Sequence, residues 1–191
     1  LGLAPGGPLE WGGDPVFSLN VVDSPDELEH MLATRQEDGY TARMAAGFCW
    51  PWSDPRPDGT LVHDVQIDDW SRPWNLKGDR AVGGAPPAAL WASDPAGFDQ
   101  VGCIYTAQGF EYDHAGIIIG PDLVWRGDRW VAVREANADP ALRNRTKVPP
   151  QVFDRLVRNV YKVLLTRGMQ SAWIYSTDPQ TRNFLRRLVG R

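Results

Sequence analysis

The chain has 191 residues, 42 % of them apolar, and carries a formal charge of −4 with a pI near 5.3. That length fits one domain, and the apolar content excludes a disordered chain. No apolar run reaches the roughly 18 to 20 residues of a membrane-spanning helix, and the acidic balance excludes a domain that grips nucleic acid through a uniformly basic surface.

Residues 1–15 are rich in glycine and proline and read as an irregular lead-in. The opening Leu1-Gly2-Leu3 lacks a charged start followed by an apolar stretch, so it reads as a processed end with no secretory signal. Residues 16–22 read as a strand. Ser24-Pro25-Asp26-Glu27 then has capping-box spacing with proline at the first helical position, and predicts a helix over residues 25–38. Leu28, Met31 and Leu32 share its apolar face, and Gly39 supplies a left-handed stop. Residues 42–48 are short, apolar and strand-like. Strand, helix and strand in that order favour a parallel sheet, because the return to a parallel neighbour needs a crossover.

Residues 49–98 break this rhythm. We read them as a long tryptophan-rich insertion with one small strand at 62–67, and a segment of that length with little regular structure is often functional. Its tryptophans could stack on bases, but packing against their own domain is the favoured reading. Strand patterns return at 101–105, 115–119 and 130–134, with a turn at Gly127-Asp128-Arg129. The apolar spacing of Phe153, Leu156, Val157, Val160, Tyr161 and Leu164 predicts a helix over 150–166. A strand at 172–175 follows, and Asp178-Pro179 starts a last helix that buries Phe184, Leu185 and Leu188. The whole reads as one α/β domain.

Local chemistry is sparse. Cys49 and Cys103 show neither CxxC spacing nor nearby histidines, so we expect two buried thiols in a reducing cytoplasm and no metal site. The chain contains no GxxxxGK loop followed by serine or threonine, no GxSxG elbow, no HExxH and no GxGxxG after a strand. His30, His63 and His114 are scattered, although His63-Asp64 is a candidate acid-base pair for a small hydrolase. Arg143, Arg145 and Lys147 form one basic cluster, and Arg182, Arg186, Arg187 and Arg191 form another; both read first as solvated faces.

Two segments stand apart. Residues 106–113 and 164–168 each place polar groups at the end of a buried apolar element, where α/β folds present nucleotide-binding residues. In the first, Gly109 allows a phosphate to approach the backbone and Glu111 can accept hydrogen bonds from ribose hydroxyls; the alternative is a plain turn. In the second, Arg167 either stabilises charge on a transferring phosphoryl group or caps the helix that precedes it.

At these segments the sequence resembles the C-terminal RecA-like domain of superfamily 1 helicases of the UvrD/Rep type. The run VGCIYTAQGFEYDHAGIIIG at 101–120 looks like helicase motif V, and VYKVLLTRGMQSAWIYSTD at 160–178 looks like motif VI. With GFCWPWS in the insertion, the chain is most similar to a domain-of-unknown-function family grouped with Schlafen-type DNA/RNA helicase domains, from about Val21 onward. The resemblance implies a RecA-like three-layer α/β domain with a mainly parallel sheet. It implies that Gly109 lies near the nucleotide phosphates, Glu111 binds ribose and Arg167 is the arginine finger. Thr106 and Gln108 would couple nucleotide to nucleic acid, with Gln108 standing where many members have lysine. It further implies ATP and Mg2+ as ligands of a longer protein, and single-stranded DNA or RNA as partner. An N-terminal RecA-like domain carrying the Walker A and B motifs would lie outside this chain, which alone would be inactive. The competing class is a non-catalytic nucleic-acid- or protein-binding module on the same frame. The motor reading requires Glu111 and Arg167 to converge on one edge of the sheet.

Overall fold

The computed structural model describes residues 2, 3 and 11–190. Much of the expected lead-in, and Arg191 of the terminal basic cluster, lie outside the described residues. The first unit is β1 (Ser18–Val21), α1 (Pro25–Glu37) and β2 (Ala42–Ala46). Its helix begins as the sequence predicts: Ser24 Oγ accepts the Glu27 amide at 3.0 Å, and the Glu27 carboxylate accepts the Asp23 amide at 2.7 Å. β1 is shorter than expected, with Val16 left 79 % exposed.

The insertion contains a hairpin of β3 (Val65–Ile67) and β4 (Trp70–Arg72), of which the sequence pattern predicts one strand. It is fastened to α1, because Glu29 accepts hydrogen bonds from Trp70 Nε1 and from the Arg72 guanidinium. Beyond it, Trp74 bridges Val101 in parallel and covers the sheet edge made by β5 (Val101–Gly102). Of the insertion's tryptophans, Trp70, Trp74 and Trp91 are buried and Trp50 and Trp52 are half-buried, so self-packing dominates.

The expected strand at 101–105 ends after two residues. Ile104–Ala107 is instead a helical turn, α2. The chain then enters β6 (Tyr112–Ile119), the hairpin β7 (Leu123–Arg126) and β8 (Arg129–Ala132), the short α3 (Pro140–Arg143), α4 (Pro150–Leu165), β9 (Gly168–Ser176) and α5 (Pro179–Leu188). Gly127 makes the hairpin turn at φ +64°, a conformation glycine adopts freely.

Five strands form one parallel sheet in the order β1-β9-β6-β2-β5. The step from β1 to β2 crosses the sheet one way and the step from β6 to β9 the other. Right-handed crossovers therefore put α1 and α4 on opposite faces, giving three layers around a buried sheet. Contact is tight on the α1 side: a Cβ on Gly116 would lie 2.4 Å from Leu32 Cδ1.

Candidate functional site

α4 runs back against the strand direction, so its C-terminus lies at the sheet edge where β9 begins. The crossover through α2 likewise returns the chain to that edge before β6. Tyr112 pairs with Gly168, and the Tyr112 amide donates to the Arg167 carbonyl at 3.1 Å. Although Thr106 at the start of the first singled-out segment is tied to Asn75 beyond the carboxyl end of β5, the segment's end, residues 111–113, thus meets the second at the amino-terminal edge of the sheet. This corrects the expectation drawn from open α/β sheets, which bind ligands at the carboxyl ends of strands.

Glu111 and Arg167 do converge: Arg167 Nη1 lies 3.7 Å from Glu111 Oε1. Arg167 is held from behind, its Nε donating to the Val163 carbonyl at 3.1 Å, Nη1 to the Phe110 carbonyl at 3.4 Å and Nη2 to Thr166 Oγ1 at 3.3 Å. Its side chain is 20 % exposed and that of Glu111 is 63 % exposed, so the pair forms a restrained cation beside an open carboxylate. The guanidinium therefore caps α4, and three of its five N–H groups are engaged in these bonds. Gly168, which follows Arg167 and opens β9, has no room for a side chain, because a Cβ there would sit 2.2 Å from the Ser171 carbonyl oxygen.

Gly109 behaves differently. It is exposed, and the nearest atom to a Cβ built there is the Thr106 carbonyl oxygen at 3.6 Å. Packing among the described residues does not demand glycine at this position, which leaves room for a group from outside. Thr106 Oγ1 accepts a hydrogen bond from Asn75 Nδ2 at 2.9 Å, whereas the Gln108 side chain points into solvent.

Sequence reasoning missed two buried polar groups, Asn75 beyond the carboxyl end of β5 and Arg43 within β2. Asn75 is fully buried: its Oδ1 accepts the Cys103 amide and its carbonyl accepts Trp52 Nε1, which ties the insertion to α2. Arg43, buried in the otherwise apolar β2, donates to the carbonyls of Trp91, Ala42 and Asp94. Desolvation lowers its pKa, and burial raises that of neighbouring Tyr112 far above the usual phenol range. An arginine inside an apolar strand was the available signal for Arg43; nothing local marks Asn75.

The other candidates do not assemble. His63 Nδ1 faces Ser71 Oγ at 3.2 Å while the Asp64 carboxylate accepts from Ser53, so the two side chains have separate partners. His114 bonds Ser171 within the sheet, and His30 is exposed. Neither thiol is in a disulfide; Cys103 is buried as expected but Cys49 is only half-buried, and desolvation raises the pKa of both, that of Cys103 to about 12. Among the described residues no cluster of three or more His, Cys, Asp or Glu could hold a metal ion, and no helix is long and apolar enough to cross a membrane.

Residues 5–178 match the family described as Schlafen group 3, DNA/RNA helicase domain. The chain belongs to this family. The Schlafen-type domain is also 28 % identical over 176 residues to the "Uncharacterized protein YPL245W" of Saccharomyces cerevisiae. That alignment covers 90 % of this chain and 37 % of the yeast protein, so the chain spans little more than a third of the curated relative it matches. No solved structure matches the domain.

Proposed function

We propose that this helicase-family domain is the second motor domain of an ATP-dependent DNA/RNA helicase or translocase of superfamily 1. The observation that carries the reading is the convergence of Glu111 and Arg167, contributed by segments resembling motifs V and VI, on one edge of the sheet. Arg167 acts as the arginine finger, its planar guanidinium stabilising charge that develops on the transferring γ-phosphoryl group. Glu111 accepts hydrogen bonds from the ribose hydroxyls, and the open surface at Gly109 lets a phosphate approach the backbone. Thr106 and Gln108 pass the state of the nucleotide to a strand of DNA or RNA. ATP is closed between this edge and an N-terminal RecA-like domain of the same cytoplasmic protein. That domain supplies the phosphate loop and the acid that holds Mg2+, and the present chain alone does not turn over ATP.

In the full-length protein, Arg167→Ala lowers ATP turnover about a thousandfold or more while the domain stays folded. Glu111→Ala mainly weakens nucleotide affinity. Wild-type turnover in the Arg167 variant sinks the motor reading and leaves the binding-module class in its place.

A further inference from the structure

The opposite, carboxyl-terminal edge of the sheet carries a second feature. Just after β2 and β5, Phe48, Trp52 and Tyr105 surround a cavity of about 410 Å3 whose rim includes Lys77 and Arg143. Phe48 is the floor, with ring centroids 5.9 Å from Trp52 and 6.4 Å from Tyr105. Trp52 keeps its N–H engaged with the Asn75 carbonyl, so the ring has no donor to offer, and Lys77 Nζ lies over it at 5.3 Å from the centroid. Tyr105 is 53 % exposed yet fixed, because its hydroxyl donates to Asp139 Oδ2 at 2.8 Å. Asp139 also caps α3 by accepting the Ala141 amide, and so sets Arg143 relative to the aromatic wall.

The charge at the rim has one sign. No carboxylate lines the cavity among the described residues. Lys77 Nζ donates to the Trp52 carbonyl and reaches Asp54 only at 3.4 Å, in a pair whose aspartate side chain is 90 % exposed. Such a screened contact yields readily to a stronger anion. Arg143 is exposed and enters no ion pair among the described residues. Three aromatic groups beneath two cations match a base stacked between rings with its flanking phosphates on the rim. An acidic peptide would find the cations but would leave the aromatic faces largely unused.

We infer that this cavity is a stacking site for a base of single-stranded nucleic acid, with Tyr105 and Trp52 gripping the base and Lys77 and Arg143 the adjacent phosphates. The inference rests on the helicase reading for the identity of the polymer and adds the place where it binds. It also gives Thr106 a physical neighbour, since Tyr105 lies in the same helical turn and Asn75 joins that turn to the insertion.

The test uses the 191-residue chain, titrated by fluorescence anisotropy with labelled dT and U oligomers of about 12 nucleotides, a length spanning a typical single-strand site. Tyr105→Ala and Trp52→Ala each weaken binding about tenfold or more, while Tyr105→Phe, which keeps the ring, stays within about twofold. Lys77→Ala and Arg143→Ala each flatten the slope of log affinity against log salt by about 0.7. Circular dichroism melts of each variant separate lost binding from lost fold. No oligomer binding by the folded chain at low salt, equal loss in Tyr105→Phe and Tyr105→Ala, or tighter binding of an acidic peptide than of the oligomers would each overturn the assignment. Oligomer binding is read on the chain without nucleotide and ATP turnover on the full-length protein, so failure of the nucleotide reading and failure of this one are told apart.

Discussion

Replacing Arg167 removes two things at once, and their sizes differ enough to be separated. In the isolated chain the guanidinium makes one hydrogen bond of ordinary length, to the Val163 carbonyl at 3.1 Å, and two near the limit, to Phe110 and Thr166. Its 3.7 Å approach to Glu111 faces solvent and adds little. Removing one good charged hydrogen bond with two marginal ones should cost about 1 to 2 kcal/mol, which in a domain of this size lowers Tm by about 2 to 8 °C. Arg167→Lys keeps a cation at the helix end and should recover about half of that loss. It cannot present a planar fork to a phosphoryl group, so its ATP turnover should remain near the Arg167→Ala level. The assay pairs thermal melts of the chain with ATP turnover of the full-length protein, measured well below every Tm. If turnover instead rises from alanine to lysine to arginine in proportion to stability, Arg167 is a helix cap only.

Other consequences follow from packing and ionisation. Gly116→Ala places a methyl group 2.4 Å from Leu32 Cδ1 and should cost about 1 to 3 kcal/mol, read as a lower urea midpoint without a change in slope. Asp178 caps α5 through Thr181 and accepts two bonds from Arg126, which hold its pKa down to about 2. A depressed carboxylate stabilises the fold above its unfolded pKa near 3.8, and that contribution is lost as pH falls toward 2. Asp178→Asn should therefore flatten the fall in urea midpoint between about pH 5 and pH 2, and an unchanged profile would count against the cap. Cys103, fully buried and with its thiol pushed up to about 12, should react with a thiol reagent at pH 8 only as fast as the domain unfolds.

How far the sequence could be read depended on where each signal's partners lay. The starts of α1 and α5 were legible because a cap and its targets lie within four residues, and the structure shows Ser24 and Asp178 making those bonds. The parallel sheet was legible from the strand-helix-strand order. β5 was over-read because Ile104 and Tyr105 have strand propensity, whereas the tertiary fold uses them in a turn that reverses toward β6. β7 was missed because Leu123-Val124-Trp125 has no alternation until Thr181, bonded to the Trp125 amide, fixes its place. Arg43 and Asn75 find their partners 48 and 28 residues away, beyond the reach of any local pattern. The pairing of residues 111 and 167 was expected from the resemblance and not from spacing. The edge on which they meet required knowing the direction of α4.

That direction also bears on how two distant sites could act together. β5 stops level with the carboxyl-terminal part of β6, since Gly102 pairs with Ala45 and Ala45 with Ile117. Residues 103–111 must then run back along the sheet to reach the start of β6. One end of this return segment, at Tyr105 and Thr106, lies against the aromatic cavity and Asn75; the other, at Glu111, lies against Arg167. A shift at Tyr105 can thus reach Glu111 without crossing the packed sheet, through a segment tied down by Asn75 near its start and by the Tyr112 amide at its end. Coupling of this kind is reciprocal: if a stacked base changes nucleotide affinity, nucleotide must change affinity for the strand by the same factor. Asn75→Ala, which cuts the side-chain ties to Thr106 Oγ1 and to the Cys103 amide but keeps the backbone carbonyl that holds Trp52, should lower that shared factor toward one. Equal coupling in Asn75→Ala and wild type, measured by oligomer titration of the full-length protein with and without nucleotide, would show that the return segment is not the connection.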